Sequence, residues 1–176
     1  MYSAIFIGHD HHNAPHAWVN AYTAASQLGD LKPHESRVVY PEMWESVPPP
    51  KQCDLVWVSC EAETPDMLVV GSGLATGIVT ATDIASYAAD DGWVIYDCCL
   101  AGAAFRDRGR VNAIGTRGYN PNDPDLKASV VAHAIIPLLC KVPMHMITPL
   151  ANRVLAEWKR KNSWLDDLEL ITGRIG

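Results

Sequence analysis

No apolar stretch in this chain of 176 residues approaches the roughly 20 that a helical membrane span needs. Nor does a basic region precede its N-terminal apolar run. Neither a membrane helix nor a secretory leader is expected, and the cytoplasm is the expected location. The five cysteines include no CxxC pair. An odd count without paired spacing argues against a disulfide framework or structural zinc and for a reducing compartment. Positive charge is scarce as well: formal net charge is −6, the sequence pI is near 5.5, and the only basic run is Lys159-Arg160-Lys161. Nucleic acid is therefore not expected as a partner. Internal repeats and low-complexity segments are missing, and Gly71-Ser72-Gly73 is too short and badly placed for a phosphate loop. What remains is 48% hydrophobic content at a mean hydropathy of −0.01, enough for the core of one soluble globular domain spanning residues 1–176.

Along the chain, Ser3-Ala4-Ile5-Phe6-Ile7 closes at Gly8 and reads as a first buried strand. It empties into His9-Asp10-His11-His12-Asn13-Ala14-Pro15-His16, four histidines in eight positions. Pro15 opens a helix that runs to about Leu28, and Gly29 ends it. Arg37-Val38-Val39-Tyr40 is a second strand. Pro41 to Lys51, with Pro48-Pro49-Pro50 inside it, is a surface connection. Asp54 to Ser59 is a third buried strand, ending at Cys60-Glu61-Ala62-Glu63. Thr64 to Gly77 reads as irregular, with Met67 to Val70 open between a strand and part of a turn. Thr80 to Ala89 reads as a helix, Asp90-Asp91-Gly92 as a turn, Trp93 to Asp97 as a strand and Val111 to Gly115 as a fifth. Past the loop from Thr116 to Pro124 come an apolar helix from about Asp125 to Leu139 and another from about Thr148 to Lys161, with Leu150, Val154, Leu155 and Trp158 at helical spacing. Strands alternating with helices predict an α/β fold on a mostly parallel sheet.

The chemistry concentrates in Trp93-Val94-Ile95-Tyr96-Asp97-Cys98-Cys99-Leu100-Ala101-Gly102. Four β-formers suit a central parallel strand, and its C-terminal end, where such sheets place their sites, carries two thiols and a closing glycine. Small buried hydrophobes are the alternative role for both thiols. A cysteine peptidase needs a thiolate, a base or cation that lowers the thiol pKa, and backbone N–H groups for the oxyanion. Cys60-Glu61-Ala62 and Asp97-Cys98-Cys99, about 40 residues apart, offer two strand ends on which to build such a site.

Over roughly residues 54 to 160 the chain resembles the caspase-like cysteine peptidases of clan CD, and among them the bacterial CHAT-type domains. Asp54 to Ala62 is similar to a strand ending in an Ala-Cys-His-Gly type motif. Gly73 to Ala85 resembles the family's leucine, glycine, leucine-threonine-alanine, aspartate-isoleucine segment. Val94 to Gly102 resembles the strand that ends in an Asp/Ser-Ala-Cys-x-Ser-Gly nucleophile turn, and the two last helices resemble the pair that closes the domain. The resemblance implies a three-layer sandwich, a mostly parallel central sheet flanked by helices, and peptide-bond hydrolysis in a protein or peptide substrate without a cofactor.

Carried over residue by residue, the resemblance puts the nucleophile at Cys99, the acidic residue before it at Asp97, a small buried position at Cys98 and the family's glycine at Gly102, while Ala101 replaces a serine. The expected catalytic histidine is Glu61, and the expected glycine is Ala62. A carboxylate raises a neighbouring thiol pKa and holds no proton to give at neutral pH. The implied protein is either an enzyme with a relocated base, for which His9, His11 or His12 are candidates, or an inactive CHAT-like module that binds a partner. His9 and Asp10 merely ordering their loop is the structural alternative. Zinc held by those imidazoles and Asp10 has no motif behind it. Arg117 is a candidate for an acidic substrate side chain, while Asp10 and Asp123 favour a basic one. CHAT-type domains work beside other proteins, so a separately encoded partner is expected.

Overall fold

The computed structural model describes residues 2–9, 17–31, 34–39, 53–64, 67–70, 77–117, 142–161, 163 and 169–176. Its centre is a six-stranded sheet built from β1 (Tyr2–Gly8), β2 (His34–Val39), β3 (Cys53–Ser59), β7 (Ala88–Asp97), β8 (Val111–Thr116) and β9 (Leu170–Ile175), in the order β2-β1-β3-β7-β8-β9. The first five run parallel and β9 closes the edge antiparallel to β8. The expected mostly parallel α/β sheet is present.

Burial explains why β3 and β7 read as continuous apolar runs. Val56 and Val58 face one side and Leu55 and Trp57 the other, and all four are fully buried. Both faces are covered, as in other parallel sheets. On one face Phe6, Leu55, Trp57, Ile95 and Ile114 pack against α1 (Ala17–Leu31) and α3 (Met144–Lys159), through Ala21, Ala24 and Leu28 of the first and Ile147, Ala151 and Leu155 of the second. The i, i+4 spacing of those last three residues is the apolar stripe of an amphipathic helix. On the opposite face Ile5, Ile7, Val56, Val58, Val94 and Tyr96 pack against α2 (Ala81–Ala85) and against Leu68. Leu68 belongs to a small antiparallel sheet of β4 (Glu61–Thr64), β5 (Met67–Val70) and β6 (Gly77–Thr80).

Several elements depart from the sequence expectations. Helix α1 continues through Gly29 to Leu31. The helix expected over Thr80 to Ala89 is only Ala81–Ala85: a capping box of Thr80 and Asp83 starts it. Its chain then turns at Ser86 and Tyr87, where the Cys53 amide takes the Tyr87 carbonyl and draws Ala88 into β7. Asp91 keeps a turn-like φ of 59° even though it lies within that strand. The supposedly irregular Thr64 to Gly77 segment contains β5, and β9 had no counterpart in the sequence reading. Helix α3 begins four residues before Thr148, at Met144, with Pro143 as N-cap. The surface connection of residues 41–51, the loop from Asp10 to His16 and the helix expected from Asp125 to Leu139 lie outside the described residues.

Candidate active site

Four neighbouring parallel strands end together. Register pairs Gly8 with Ser59 and Ser59 with Asp97. Extending the pairing of Ile95 with Ile114 by two residues brings Thr116 beside Asp97. A polar side chain therefore closes three adjacent apolar strands, and these side chains are wired together. Trp57 Nε1 donates to Ser59 Oγ at 2.9 Å, and Ser59 Oγ donates to Asp97 Oδ2 at 2.7 Å. Thr116 Oγ1 donates to the Cys98 carbonyl at 2.7 Å. Ser59, Asp97 and Thr116 are all buried, so these bonds act away from water, where each is stronger and its loss costs more.

Beyond Asp97 the chain leaves the sheet in a tight turn. Cys98 is buried and Cys99 partly exposed. Leu100 adopts φ 57°, ψ 4°, the left-handed region that non-glycine residues seldom enter and that costs on the order of 1–2 kcal/mol. A single 3₁₀ turn over Ala101–Ala104 follows, tied by Ala103 N–H to the Leu100 carbonyl at 3.0 Å. Strain directly after a partly exposed thiol, held by buried hydrogen bonds on both sides, is the kind of local geometry that clusters at functional sites. Gly102 is required for packing: a Cβ there would overlap the Ile171 side chain and stand 2.9 Å from the Thr116 carbonyl oxygen.

Strand alternation sorts the site by face. Ser59 and Asp97 share the face of Trp57 and α1. One residue later Cys60 and Cys98 return to the α2 face, where both are buried in the same cluster. The neighbouring Cys60 side chain, burial and the nearby acidic groups push the Cys98 thiol well above the ordinary range, so it keeps its proton. Tyr96, on the same face, donates its hydroxyl to the Ala81 carbonyl at 2.6 Å. It anchors the start of α2 under the site.

The sequence-derived candidates separate accordingly. Cys99, Asp97, Glu61 and Ala62 stand at the ends of adjacent strands β7 and β3, Glu61 as the first residue of β4 paired with Val69. Ala62 is buried beside Leu68 in the α2-side core. His9 sits at the end of β1, its N–H donating to the Ser59 carbonyl at 3.0 Å. Because β3 lies between β1 and β7, two strand spacings, about 9–10 Å, separate the His9 and Asp97 backbones. His9 is 1% exposed, and desolvation lowers its pKa to about 4; its ring is neutral at physiological pH. Arg117 is exposed at the end of β8, where its N–H meets the Glu169 carbonyl and its Nε lies 3.2 Å from Glu169 Oε2. Asp10 lies outside the described residues. Among the described residues no cluster of three or more His, Cys, Asp or Glu side chains is arranged to hold a metal ion.

No protein-family model matches the chain, and no curated protein matches it either. Solved structures do. The crystal structure of caspase-1 from Spodoptera frugiperda superposes with a TM-score of 0.57 over 99% of this chain and 88% of that one, at 8% identity. The structure of pro-sf-caspase-1 gives 0.54 over 93% and 83%, at 10% identity. The chain has the caspase fold. At such low identity the likeness concerns the fold alone, and Ser59, Thr116, the placing of Cys60 beside Cys98 and the Leu100 conformation are read from this chain itself. Sequence reasoning passed over all four, although Ser59 and Thr116 carry one visible signal, a hydroxyl ending a run of buried β-formers. None of the described helices is long and apolar enough to cross a membrane.

Proposed function

We propose that this caspase-fold chain, as one domain over residues 1–176, is a cysteine peptidase whose nucleophile is Cys99. The observation that carries the reading is that Cys99, partly exposed where the other described cysteines are buried, follows a central strand in a strained, hydrogen-bonded turn. In the reaction the Cys99 sulfur attacks the scissile carbonyl of a protein or peptide substrate, and the Cys99 N–H donates to the oxyanion. A histidine of the His9 to His12 loop takes the thiol proton and returns it to the leaving amine. Asp97, fixed by Ser59, holds the turn, and Arg117 exchanges its exposed Glu169 partner for an acidic substrate side chain.

A second reading, a CHAT-like pseudo-peptidase that binds a separately encoded protein, draws support from Glu61 at the position expected for histidine and from the acid-shifted, buried His9. A base with a pKa near 4 has little drive to accept a thiol proton at neutral pH. Hydrolysis of a mixed fluorogenic peptide library, with Cys99 alkylation rates measured against pH, separates the two readings. The peptidase reading expects turnover that Cys99→Ala abolishes at unchanged circular dichroism, and a Cys99 pKa below the usual value of about 8.5. Turnover that survives Cys99→Ala, or no turnover together with an ordinary Cys99 pKa, sinks it.

A further inference from the structure

Two thiols lie beneath the Cys99 turn that the proposed reaction does not use. Because Ser59 pairs with Asp97 as the last residues of β3 and β7, Cys60 and Cys98 are the first residues past the paired ends of two neighbouring parallel strands. Adjacent strands run about 4.8 Å apart, inside the roughly 4.4–6.8 Å between Cα atoms that a disulfide spans. Both side chains enter the same α2-side cluster, at 4% and 2% exposure. Tyr96, one pleat earlier on that face, is buried in the same cluster with its hydroxyl on the Ala81 carbonyl. Cys53, at the opposite end of β3, belongs to the same face but to no such pair among the described residues.

We propose that Cys60 and Cys98 are a redox pair that hydrogen peroxide closes to a disulfide, tying the end of β3 to the end of β7 directly beneath Cys99. Written with Cys60 as the attacking thiol and Cys98 as the resolving one, the reaction has two steps, and the reverse assignment gives the same disulfide. The Cys60 sulfur attacks the peroxide: an S–O bond forms, the O–O bond breaks, and water leaves with the thiol proton. The Cys98 sulfur then attacks the resulting sulfenic acid; the S–S bond forms, the S–O bond breaks, and a second water leaves with the Cys98 proton. Two thiols lose two electrons and one peroxide becomes two waters. The residues bonded next along the chain are Glu61 and Cys99, so the cross-link acts on both halves of the rim at once. The pair rests on the register of β3 and β7 and is independent of whether Cys99 cleaves peptides.

Peptide mapping of the full chain, treated with peroxide and alkylated under denaturing conditions without reductant, decides it. No Lys or Arg stands between Lys51 and Arg106, so trypsin leaves four cysteines on one peptide and cleavage at acidic residues is added. The expected result is loss of the alkylated Cys60 and Cys98 peptides and the appearance of their linked pair, two hydrogens lighter than the sum, in wild type and in Cys99→Ser alike. Reductant restores both thiols. Cys60→Ser and Cys98→Ser each lose the linked pair. Recovery of Cys60 and Cys98 fully alkylated after peroxide, or a link that joins Cys99 to either of them, overturns the proposal. Cys98 and Cys99 share one peptide after both cleavages, so fragmentation of the linked wild-type peptides assigns the bonded sulfur, and a variant that fails to fold does not weaken the test. Persistence of the link in Cys99→Ser, a protein without the proposed nucleophile, keeps this outcome separate from the fate of the peptidase reading.

Discussion

Acid should unlock this protein through His9. Burial at the end of β1 lowers its pKa to about 4, whereas in the unfolded chain an imidazole titrates near 6.5. Between those values the unfolded chain binds the proton and the native chain does not, so stability falls as pH falls. The contribution is intact at pH 7, begins to fade below about 6.5, and amounts to a loss of about 3 kcal/mol by pH 4. For a chain of 176 residues, with an unfolding entropy near 2.1 cal/mol/K per residue, that loss lowers the melting temperature by about 8 °C. Other groups titrate over the same range, so the assay is a comparison: urea or thermal unfolding of wild type and His9→Asn at pH 7, 6, 5 and 4. The variant starts less stable but follows a shallower slope, and the two curves approach each other by about 3 kcal/mol. Parallel curves between pH 6.5 and 4 would refute the reasoning, as would an NMR titration in which the His9 ring protonates near 6.5 in the folded protein.

Two further predictions concern the strand ends and the helix above them. Ser59→Ala removes the acceptor for Trp57 and the donor to buried Asp97; an expected loss of about 2 kcal/mol is read by urea unfolding, and Cys99 alkylation should change rate because its turn loses one of its two fixings. Gly8→Ala would place a Cβ 2.6 Å from Trp18 Cα and 2.9 Å from the Ala17 carbonyl oxygen. Those are backbone atoms of α1, which must lift from the sheet, at a cost of about 3 kcal/mol visible in thermal melts.

What could be read in the sequence follows from how each element is buried. Ser3 to Ile7, Asp54 to Ser59, Trp93 to Asp97 and Val111 to Gly115 are covered on both faces, and unbroken apolar runs give such strands away. Strand β9 escaped because it lies at the edge and carries Thr172, Gly173 and Arg174 in its middle; Gly173 is there because Phe105 and the Arg106 carbonyl approach it closely, a reason visible only in three dimensions. Arg174 binds Asp91, Asn112 and two backbone carbonyls from the β7 and β8 side, again a long-range contact. Four-residue β5 is too short for periodicity to mark it. In the candidate site, the strand end that carries Asp97, Cys98 and Cys99 was legible from a polar ending on a buried run, and the choice of Cys99 came from the family resemblance. The role of Ser59 was not, because it depends on which residue of β7 stands opposite, and register is a tertiary property. His9 was legible as a candidate, but its desolvation was not.

The pairing of β3 with β7 is uneven from end to end. Leu55 to Ser59 match Trp93 to Asp97 one for one, while below them the step from Cys53 to Leu55 faces the step from Ala88 to Trp93. Surplus chain is thus gathered at the end of the sheet away from Cys60, Cys98 and Cys99. Insertions and deletions accumulated over evolution have a place there to be absorbed, as a wider or narrower excursion around Asp90 and Asp91, without sliding Ser59 past Asp97. Sequence drift in this chain is expected to show as length change at the foot of the sheet and as near-constant length at its head.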